Sequence, residues 1–326
     1  MKTALPLAAL TSLLLTGAAM AAPEVVASTK PIHSLVSAVM GDVGTPALIV
    51  RGAASPHTYA LRPSDAAALE SADIVFWTGH GMELFLAAAL DSLSGGAQVV
   101  ELAEAEGITL LSVREGGAFE AHSHGEEDHD HDHEEHEHDD HAHEDHAHEE
   151  HDHAHGEGDM HFWLDPENAK LMVSAIATTL SDADPDNAAT YAANAEAELS
   201  RLDALESELQ ATLAPIAGKP FIVFHDAYQY FEARFGLEVA GTVTVSPEAM
   251  PGAARIDELR AKVAELGATC VFAEPNFAPA IVNTIVEGTE ARAGTLDPEG
   301  AALTEGPNLY PELLRGLATG LVECLS

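Results

Sequence analysis

A long run of histidine and carboxylate residues limits how this chain can fold. From His122 to His155 the sequence reads HSHGEEDHDHDHEEHEHDDHAHEDHAHEEHDHAH, and no lysine or arginine occurs between Arg114 and Lys170. Such a stretch has no large apolar side chains to bury, so it cannot offset the entropy lost on ordering. We therefore predict a disordered loop over residues 118–158, and the folded parts of the chain must lie on either side of it.

The composition of this loop also predicts metal binding. Neutral imidazoles and carboxylates together offer nitrogen and oxygen ligands to borderline divalent cations such as zinc, copper and nickel. A solubilising charge run is the alternative, but acidic residues alone would give solubility without histidine at nearly every second position. The candidate ligands of this secondary metal loop are its histidines: His122, His124, His129, His131, His133, His136, His138, His141, His143, His146, His148, His151, His153 and His155.

The N-terminus predicts export. A positively charged start precedes an apolar run from Ala4 to Leu15 and the small-residue sequence Ala19-Met20-Ala21. The apolar run is too short to span a bilayer, so we assign residues 1–21 to a signal peptide, cleaved after Ala21 or Ala22. No later segment of the sequence is long and apolar enough for the mature chain to insert into a membrane. We expect a soluble, exported protein in a bacterial periplasm.

The charge balance excludes one class of partner. The chain has 14 basic and 54 acidic residues, which gives a formal net charge of −40. Nucleic acid is excluded because its phosphates require a surface of the opposite sign. The same charge favours the attraction of cations.

Cys270 and Cys324 are the two cysteines of the sequence. An exported chain with two thiols most simply pairs them, so we favour a disulfide. A thiolate metal site is the alternative. It is disfavoured because these residues lack the C-x-x-C spacing of zinc–sulfur sites.

Short apolar strands alternate with helices along the chain outside the loop. Segments such as residues 72–77 and 219–225 predict buried strands, and the alternation indicates βαβ units with parallel sheets. Residues 184–214 are rich in helix-forming residues and predict one long helix that acts as a rigid strut. We expect an α/β protein with an N-terminal lobe at 22–183, this linking helix, and a C-terminal lobe at 215–326.

Five histidines lie outside the loop, and three of them are candidate metal ligands. His57 comes after a predicted strand, His225 ends another, and His161 lies in an irregular turn. Ligands of open α/β sheets collect at the carboxyl ends of the strands, so these imidazoles could converge in a cleft between two lobes. Histidine nitrogens are preferred zinc ligands. We expect His33 to be structural, and for His80 a plain loop residue is favoured over an extra ligand.

Four segments of the sequence resemble the motifs of one family. They are Pro56-His-Thr-Tyr-Ala-Leu-Arg-Pro-Ser-Asp65, His161-Phe-Trp-Leu-Asp-Pro166, Phe224-His-Asp-Ala-Tyr-Gln-Tyr-Phe231 and Cys270-Val-Phe-Ala-Glu-Pro-Asn-Phe277. Together they are similar to the ZnuA-type zinc-binding periplasmic subunits of ABC transporters, in the cluster A-I group of solute-binding proteins. The resemblance covers the whole mature chain, and an acidic His-rich loop in this position is typical of the family.

The resemblance implies two α/β lobes joined by one long helix, with metal held in the cleft between them. It implies His57, His161 and His225 as three ligands. Related manganese and iron binders carry a carboxylate in place of His225, so histidine there favours zinc. Asp297 matches an aspartate that coordinates metal in the manganese relatives, and water is the alternative fourth ligand.

Three acidic residues near these motifs are expected to lie outside the metal's coordination. Asp65 is expected in the first turn of a helix. Asp165 either orients His161 or caps the next helix. Glu274 is expected to hydrogen-bond an imidazole, because metal-bound histidines usually require such a partner.

The resemblance implies a monomeric binding protein without enzymatic activity. It would capture Zn²⁺ in the periplasm and deliver it to an inner-membrane ABC permease, while the loop binds additional zinc, and its two cysteines would be paired. A periplasmic zinc buffer or chaperone is one alternative function. A three-histidine zinc hydrolase is another, but the sequence has no H-E-x-x-H helix and no evident general-base motif.

Overall fold

A computed structural model describes most of the chain on both sides of the predicted loop. The residues described are 22–114, 158–244, 251–267, 269–277 and 280–326. The predicted signal peptide lies outside them, and so do the predicted secondary metal loop up to residue 157 and all of its histidines. Within the described ranges, no helix combines the length and the apolar character needed to cross a membrane.

The N-terminal lobe contains a four-stranded parallel sheet in the order β2-β1-β3-β4. Strands β1 and β3 are buried at every position, which accounts for their unbroken apolar sequences. The strands are β1 Val25–Ala27, β2 Ala47–Leu48, β3 Ile74–Trp77 and β4 Gln98–Glu101. The helices that connect them are α1 Lys30–Met40, α2 Pro63–Ser71 and α3 Leu84–Leu93.

The C-terminal lobe repeats this arrangement with a parallel sheet in the order β6-β5-β7-β8. Its strands are β5 Pro220–Val223, β6 Glu238–Thr242, β7 Cys270–Ala273 and β8 Arg292–Thr295. Its helices are α6 Gln229–Phe235, α7 Ala253–Leu266, α8 Ala280–Val286 and α9 Leu309–Leu325. The predicted fold class, an α/β protein with two parallel sheets, is confirmed.

Two helices lie between the sheets in the chain, α4 Pro166–Ala183 and the long α5 Ala188–Leu213. The long helix begins later than residue 184 because Asp184 closes a turn. Its Oδ2 accepts hydrogen bonds from Asn187 Nδ2 and the Tyr191 hydroxyl, each at 2.8 Å. Along α5 the buried leucines recur at three- and four-residue steps, which places one stripe against the core.

One apolar core runs through both lobes. Residues of the first sheet, such as Ile74 and Phe76, belong to the same buried cluster as Phe221 and Phe272 of the second sheet. Helices α1, α4, α5 and α9 contribute most of the remaining residues of this cluster. Two smaller clusters cover the other faces, one on each sheet. Because the lobes share a close-packed core, they are held as one stiff unit.

Buried hydrogen bonds also cross between the lobes. Lys30, at the start of α1 and 5% exposed, donates from Nζ to the carbonyls of Gly300, Ala301 and Leu303 at 3.0–3.1 Å. Trp163 donates from Nε1 to the carbonyl of Pro298 at 3.0 Å. These bonds fix the turn after β8 against the N-terminal lobe, and all three donor hydrogens of the buried ammonium are used.

The predicted disulfide is present. Cys270, at the start of β7, is bonded to Cys324 near the end of α9, with their Cα atoms 6.1 Å apart. The bond fastens the last helix to the second sheet.

We expect the double variant Cys270→Ser, Cys324→Ser to lose about 4 kcal/mol of unfolding free energy, because the bond closes a loop with a sequence separation of 54. Urea unfolding followed by circular dichroism would measure this loss, with the reduced wild-type chain as a second route to the same state. A loss below about 1 kcal/mol by both routes would contradict the chain-entropy argument.

Candidate metal centre

Three imidazoles from distant parts of the chain converge between the lobes. His57 lies in the loop after β2, His161 directly precedes the short 3-10 helix Phe162–Leu164, and His225 follows β5. One ring nitrogen from each lies within 4.8 Å of the others. Their ring centroids are 5.2–5.5 Å apart, and His161 and His225 are 7% and 4% exposed. The sequence therefore identified the three histidines that the fold brings together.

Two carboxylates orient the rings of His161 and His225. Asp159 Oδ1 lies 2.8 Å from His161 Nδ1 and also accepts the His161 backbone N–H at 3.0 Å. Glu274 Oε1 lies 2.7 Å from His225 Nδ1. A carboxylate accepts the Nδ1 proton, so in each neutral ring the lone pair is left on Nε2. Both rings thus present an Nε2 acceptor to the cleft.

The spacing of these nitrogens suits a tetrahedral cation. His161 Nε2 and His225 Nε2 are 3.3 Å apart. Two ligands at 2.0–2.1 Å from a tetrahedral zinc ion are separated by about 3.4 Å. Two facing lone pairs at this distance repel each other unless a proton or a cation lies between them. The geometry therefore favours a shared cation bound by nitrogen.

The surroundings of His225 raise its affinity for positive charge. Burial is the largest single influence and lowers its pKa, but the Glu274 carboxylate, together with Asp226 and Asp159, outweighs it, and the pKa of His225 is raised. Glu274 itself follows β7 directly, as expected from the sequence, and is 4% exposed. A buried carboxylate that stabilises an imidazolium also stabilises a metal-bound imidazole, since both carry positive charge.

Carboxylate side chains line the pocket beside His57 and His225. Asp297, Glu274 and Glu299 contribute to its wall. Asp297 follows β8, and its carboxylate accepts the backbone N–H groups of residues 299, 301 and 302 at 3.0–3.3 Å. These bonds fix the carboxylate in place: Oδ1 accepts two of them and Oδ2 one, so the remaining lone pair is on Oδ2. Burial, together with the neighbouring carboxylates, raises the pKa of Glu299 well above its usual value and favours its neutral form.

The other two histidines of the described chain do not join this group. His33 is buried in α1, with Nε2 3.1 Å from the carbonyl of Pro46, and burial lowers its pKa. His80 is exposed in a loop, with Nδ1 3.0 Å from Glu101 Oε2. Both readings from the sequence, a structural His33 and a loop His80, agree with these positions.

Acidic residues that could suggest a second centre have other partners. Glu167, Asp203 and Glu206 lie close enough to share a cation, but Lys170 Nζ contacts all three at 2.5–3.1 Å. The ammonium therefore supplies the positive charge at that point. Asp165 caps α4 by accepting the Glu167 N–H, so the second of its two predicted roles is the one found.

Sequence reasoning missed Asp159 as the partner of His161. The only signal was its position two residues before the histidine, and Asp165 offered an equally plausible carboxylate. Asp65 is found in the first turn of α2, where it accepts bonds from the Arg62 N–H and the Tyr59 hydroxyl. It lies outside the centre, as predicted.

Known proteins resemble this chain over nearly its whole length. The family described as zinc-uptake complex component A, periplasmic (ZnuA), matches residues 25–324. The high-affinity zinc uptake system protein ZnuA of Brucella suis is 57% identical over 305 residues, covering 93% of this chain and 91% of that protein.

Solved structures agree with this similarity. A crystal structure of ZnuA covers 94% of this chain and 100% of its own, with a TM-score of 0.73 and 26% identity. A ZnuA deletion mutant with zinc bound covers 94% and 98%, with a TM-score of 0.69 and 25% identity.

Replacing the partner of His225 tests the electrostatics of the centre. We expect Glu274→Gln to lower the pKa of His225 in the metal-free protein, because a neutral amide no longer stabilises the imidazolium against burial. An NMR titration of the histidine ring signals would measure the change. Glu258→Gln, which removes an exposed partner of Arg255 on α7, should leave the titration of His225 unchanged. An unaltered pKa in Glu274→Gln would refute the assignment.

Proposed function

Because the chain belongs to the ZnuA family of periplasmic zinc-uptake components, substrate-binding proteins of a transporter and not enzymes, we propose that it captures Zn²⁺ in the periplasm. It then delivers the ion to an inner-membrane ABC permease. The observation that carries this proposal is the meeting of three imidazoles, two of them with carboxylate-oriented rings, at a separation that suits tetrahedral zinc.

In this proposal His57, His161 and His225 bind the ion. Asp297 is the fourth ligand, and water is the alternative. Its support is its place in the same pocket wall as His57 and His225, with a carboxylate held rigid by three backbone amides. A nitrogen-rich set with one oxygen favours zinc over the hard cations, which prefer oxygen throughout.

We further propose that the histidines of the 118–158 segment bind additional zinc and raise its concentration near the cleft. Residues 1–21 direct export and are cleaved after Ala21 or Ala22, and the mature protein acts as a monomer. The lobes at 22–183 and 215–326 carry the ligands, with the linking segment 184–214, which contains α5, between them. A periplasmic zinc buffer is the second candidate function, and the abundance of histidine in that segment is what favours it.

The transport and buffer functions predict different results when the histidine-rich segment is removed. We expect a variant lacking residues 118–155 to keep one tight zinc site by isothermal titration calorimetry. In that background His161→Ala should weaken zinc binding by at least about tenfold, or 1.4 kcal/mol, because one of three nitrogen ligands is lost. His80→Ala is the matched control and should leave affinity unchanged. Disappearance of the tight site with the segment would favour the buffer.

The fourth ligand can be tested by one substitution. Asp297→Asn keeps the shape of the side chain and an oxygen that accepts backbone N–H groups, but removes its negative charge. If the carboxylate binds the ion, zinc affinity should fall by about tenfold or more. A change within about twofold, measured by competition with a zinc chelator, would assign the position to water.

A further inference from the structure

The chain enters and leaves the histidine-rich insertion at neighbouring points. Ser112 and Gly158 form an antiparallel bridge, and the Asp159 N–H donates to the Leu111 carbonyl at 2.7 Å. These residues are the last before the insertion and the first after it that the structure describes, apart from 113 and 114. Gly158 and Asp159 precede His161 by three and two residues, so a candidate ligand histidine is attached directly to this pair.

One buried tyrosine of the other lobe joins both ends of the insertion. The hydroxyl of Tyr230, on α6, accepts the Leu111 N–H at 2.8 Å and donates to the Asp159 carbonyl at 2.6 Å. Its neighbour Gln229 donates from Nε2 to the Ser112 carbonyl at 3.0 Å. Tyr230 is 3% exposed, so water cannot readily replace these bonds.

An ion pair reinforces the same connection. The guanidinium of Arg114 bonds both carboxylate oxygens of Asp226, through Nε at 2.9 Å and through Nη2. Nη2 also donates to Glu232 Oε2 at 2.7 Å. The two carboxylates are 8–10% exposed, and bidentate arginine pairs of this kind fix geometry as well as charge. Asp226 directly follows His225, so this ion pair links Arg114, just before the insertion, to the segment that carries His225.

We propose that Tyr230 is a positioning residue for zinc capture, acting through Asp159 on His161. Tyr230 holds the Asp159 main chain, and the Asp159 carboxylate holds the His161 ring by Nδ1. With Arg114 it forms an end clasp, defined by Leu111, Ser112, Arg114, Gly158 and Asp159 on one side and Tyr230, Asp226 and Glu232 on the other. The clasp fixes the position of His161 relative to His225.

The physical reason is that the Asp159 carboxylate bonds the His161 ring, so the position of the Asp159 main chain sets the position of the imidazole. A displacement of the main chain at Gly158 or Asp159 would pass through the Asp159 carboxylate to the imidazole. A displacement of a fraction of an ångström is enough to spoil a tetrahedral site. Loss of such an outer hydrogen-bond partner typically weakens metal binding by about 10- to 100-fold.

The inference rests on the proposed function, and a pair of tyrosine variants tests it. Tyr230→Phe should raise the zinc dissociation rate by about tenfold or more. Tyr191→Phe is the matched control: it also removes a buried hydroxyl, one that bonds Asp184 just after the end of α4, and should change that rate by less than about twofold. Equal dissociation rates in the two variants would overturn the proposal.

A metal-free readout separates the two hypotheses. In the wild type, the Nδ1 protons of His161 and His225 should give slowly exchanging NMR signals, because both are bonded to buried carboxylates. In Tyr230→Phe, the His161 signal should disappear or exchange faster with solvent, while the His225 signal should be unchanged. This result is expected even if the protein binds no zinc. Absence of zinc binding would refute the proposed function and leave the positioning role of Tyr230 standing. An unchanged His161 signal would refute the positioning role.

A second variant covers the case in which Tyr230→Phe does not fold. Arg114→Gln removes the charged half of the clasp from a partly exposed side chain, and should raise the zinc dissociation rate and loosen the His161 signal in the same direction. Arg315→Gln removes a comparable bidentate pair with Glu208 on the protein surface and is the control. If these two variants behaved alike, the clasp would have no role.

Discussion

The continuous apolar core of the two lobes is the constraint on which the metal centre depends. Each lobe alone would bring only part of a ligand set to the ends of its strands. Because helices α1, α4, α5 and α9 pack against both sheets in one cluster, the two strand edges have a fixed separation. Lys30 and Trp163 add buried hydrogen bonds from the N-terminal lobe to the turn that carries Asp297. We therefore expect metal binding and release to involve small local movements and not closure of the lobes from a widely open state.

Within that frame, charge decides what the centre can hold. Two buried carboxylates fix the tautomers of His161 and His225, so that both Nε2 atoms point to one place. Glu274 also offsets the effect of burial on the pKa of His225. Three neutral imidazoles with nearby anions suit a borderline cation, since nitrogen donors supply the bonds and the carboxylates compensate the charge. Without one of these carboxylates, the tautomer of the imidazole it contacts would no longer be fixed, so either ring nitrogen could carry the proton.

The sequence predicted the fold and the three histidines that converge better than it predicted the residues that position those histidines. Strands such as β3 are coded locally by apolar runs, and His225 follows a strand end where ligands of α/β sheets collect. The linking helix was predicted to begin at residue 184, but α5 begins at Ala188. The difference arises because Asp184 closes a turn through a hydrogen bond from Tyr191, seven residues later. Tyr230 was missed because its role exists only once the lobes pack, since it is 71 residues from the carbonyl it binds. Asp159 lies only two residues from His161, but the sequence did not distinguish it from Asp165 as the partner of that ring.

The centre and the histidine-rich segment differ in when their metal-binding side chains lose conformational entropy. In the centre, the core, the carboxylates and the turn at Asp297 arrange the ligands during folding, so little rotamer entropy remains to be lost when an ion arrives. In the segment, many equivalent histidines are interchangeable by composition, and no single set of them is distinguished by the sequence. Selectivity requires a unique geometry, and a unique geometry requires support from outside the ligands. That support is visible at Asp159, Glu274 and Tyr230, so we expect discrimination between metals at the three histidines that the two lobes hold together.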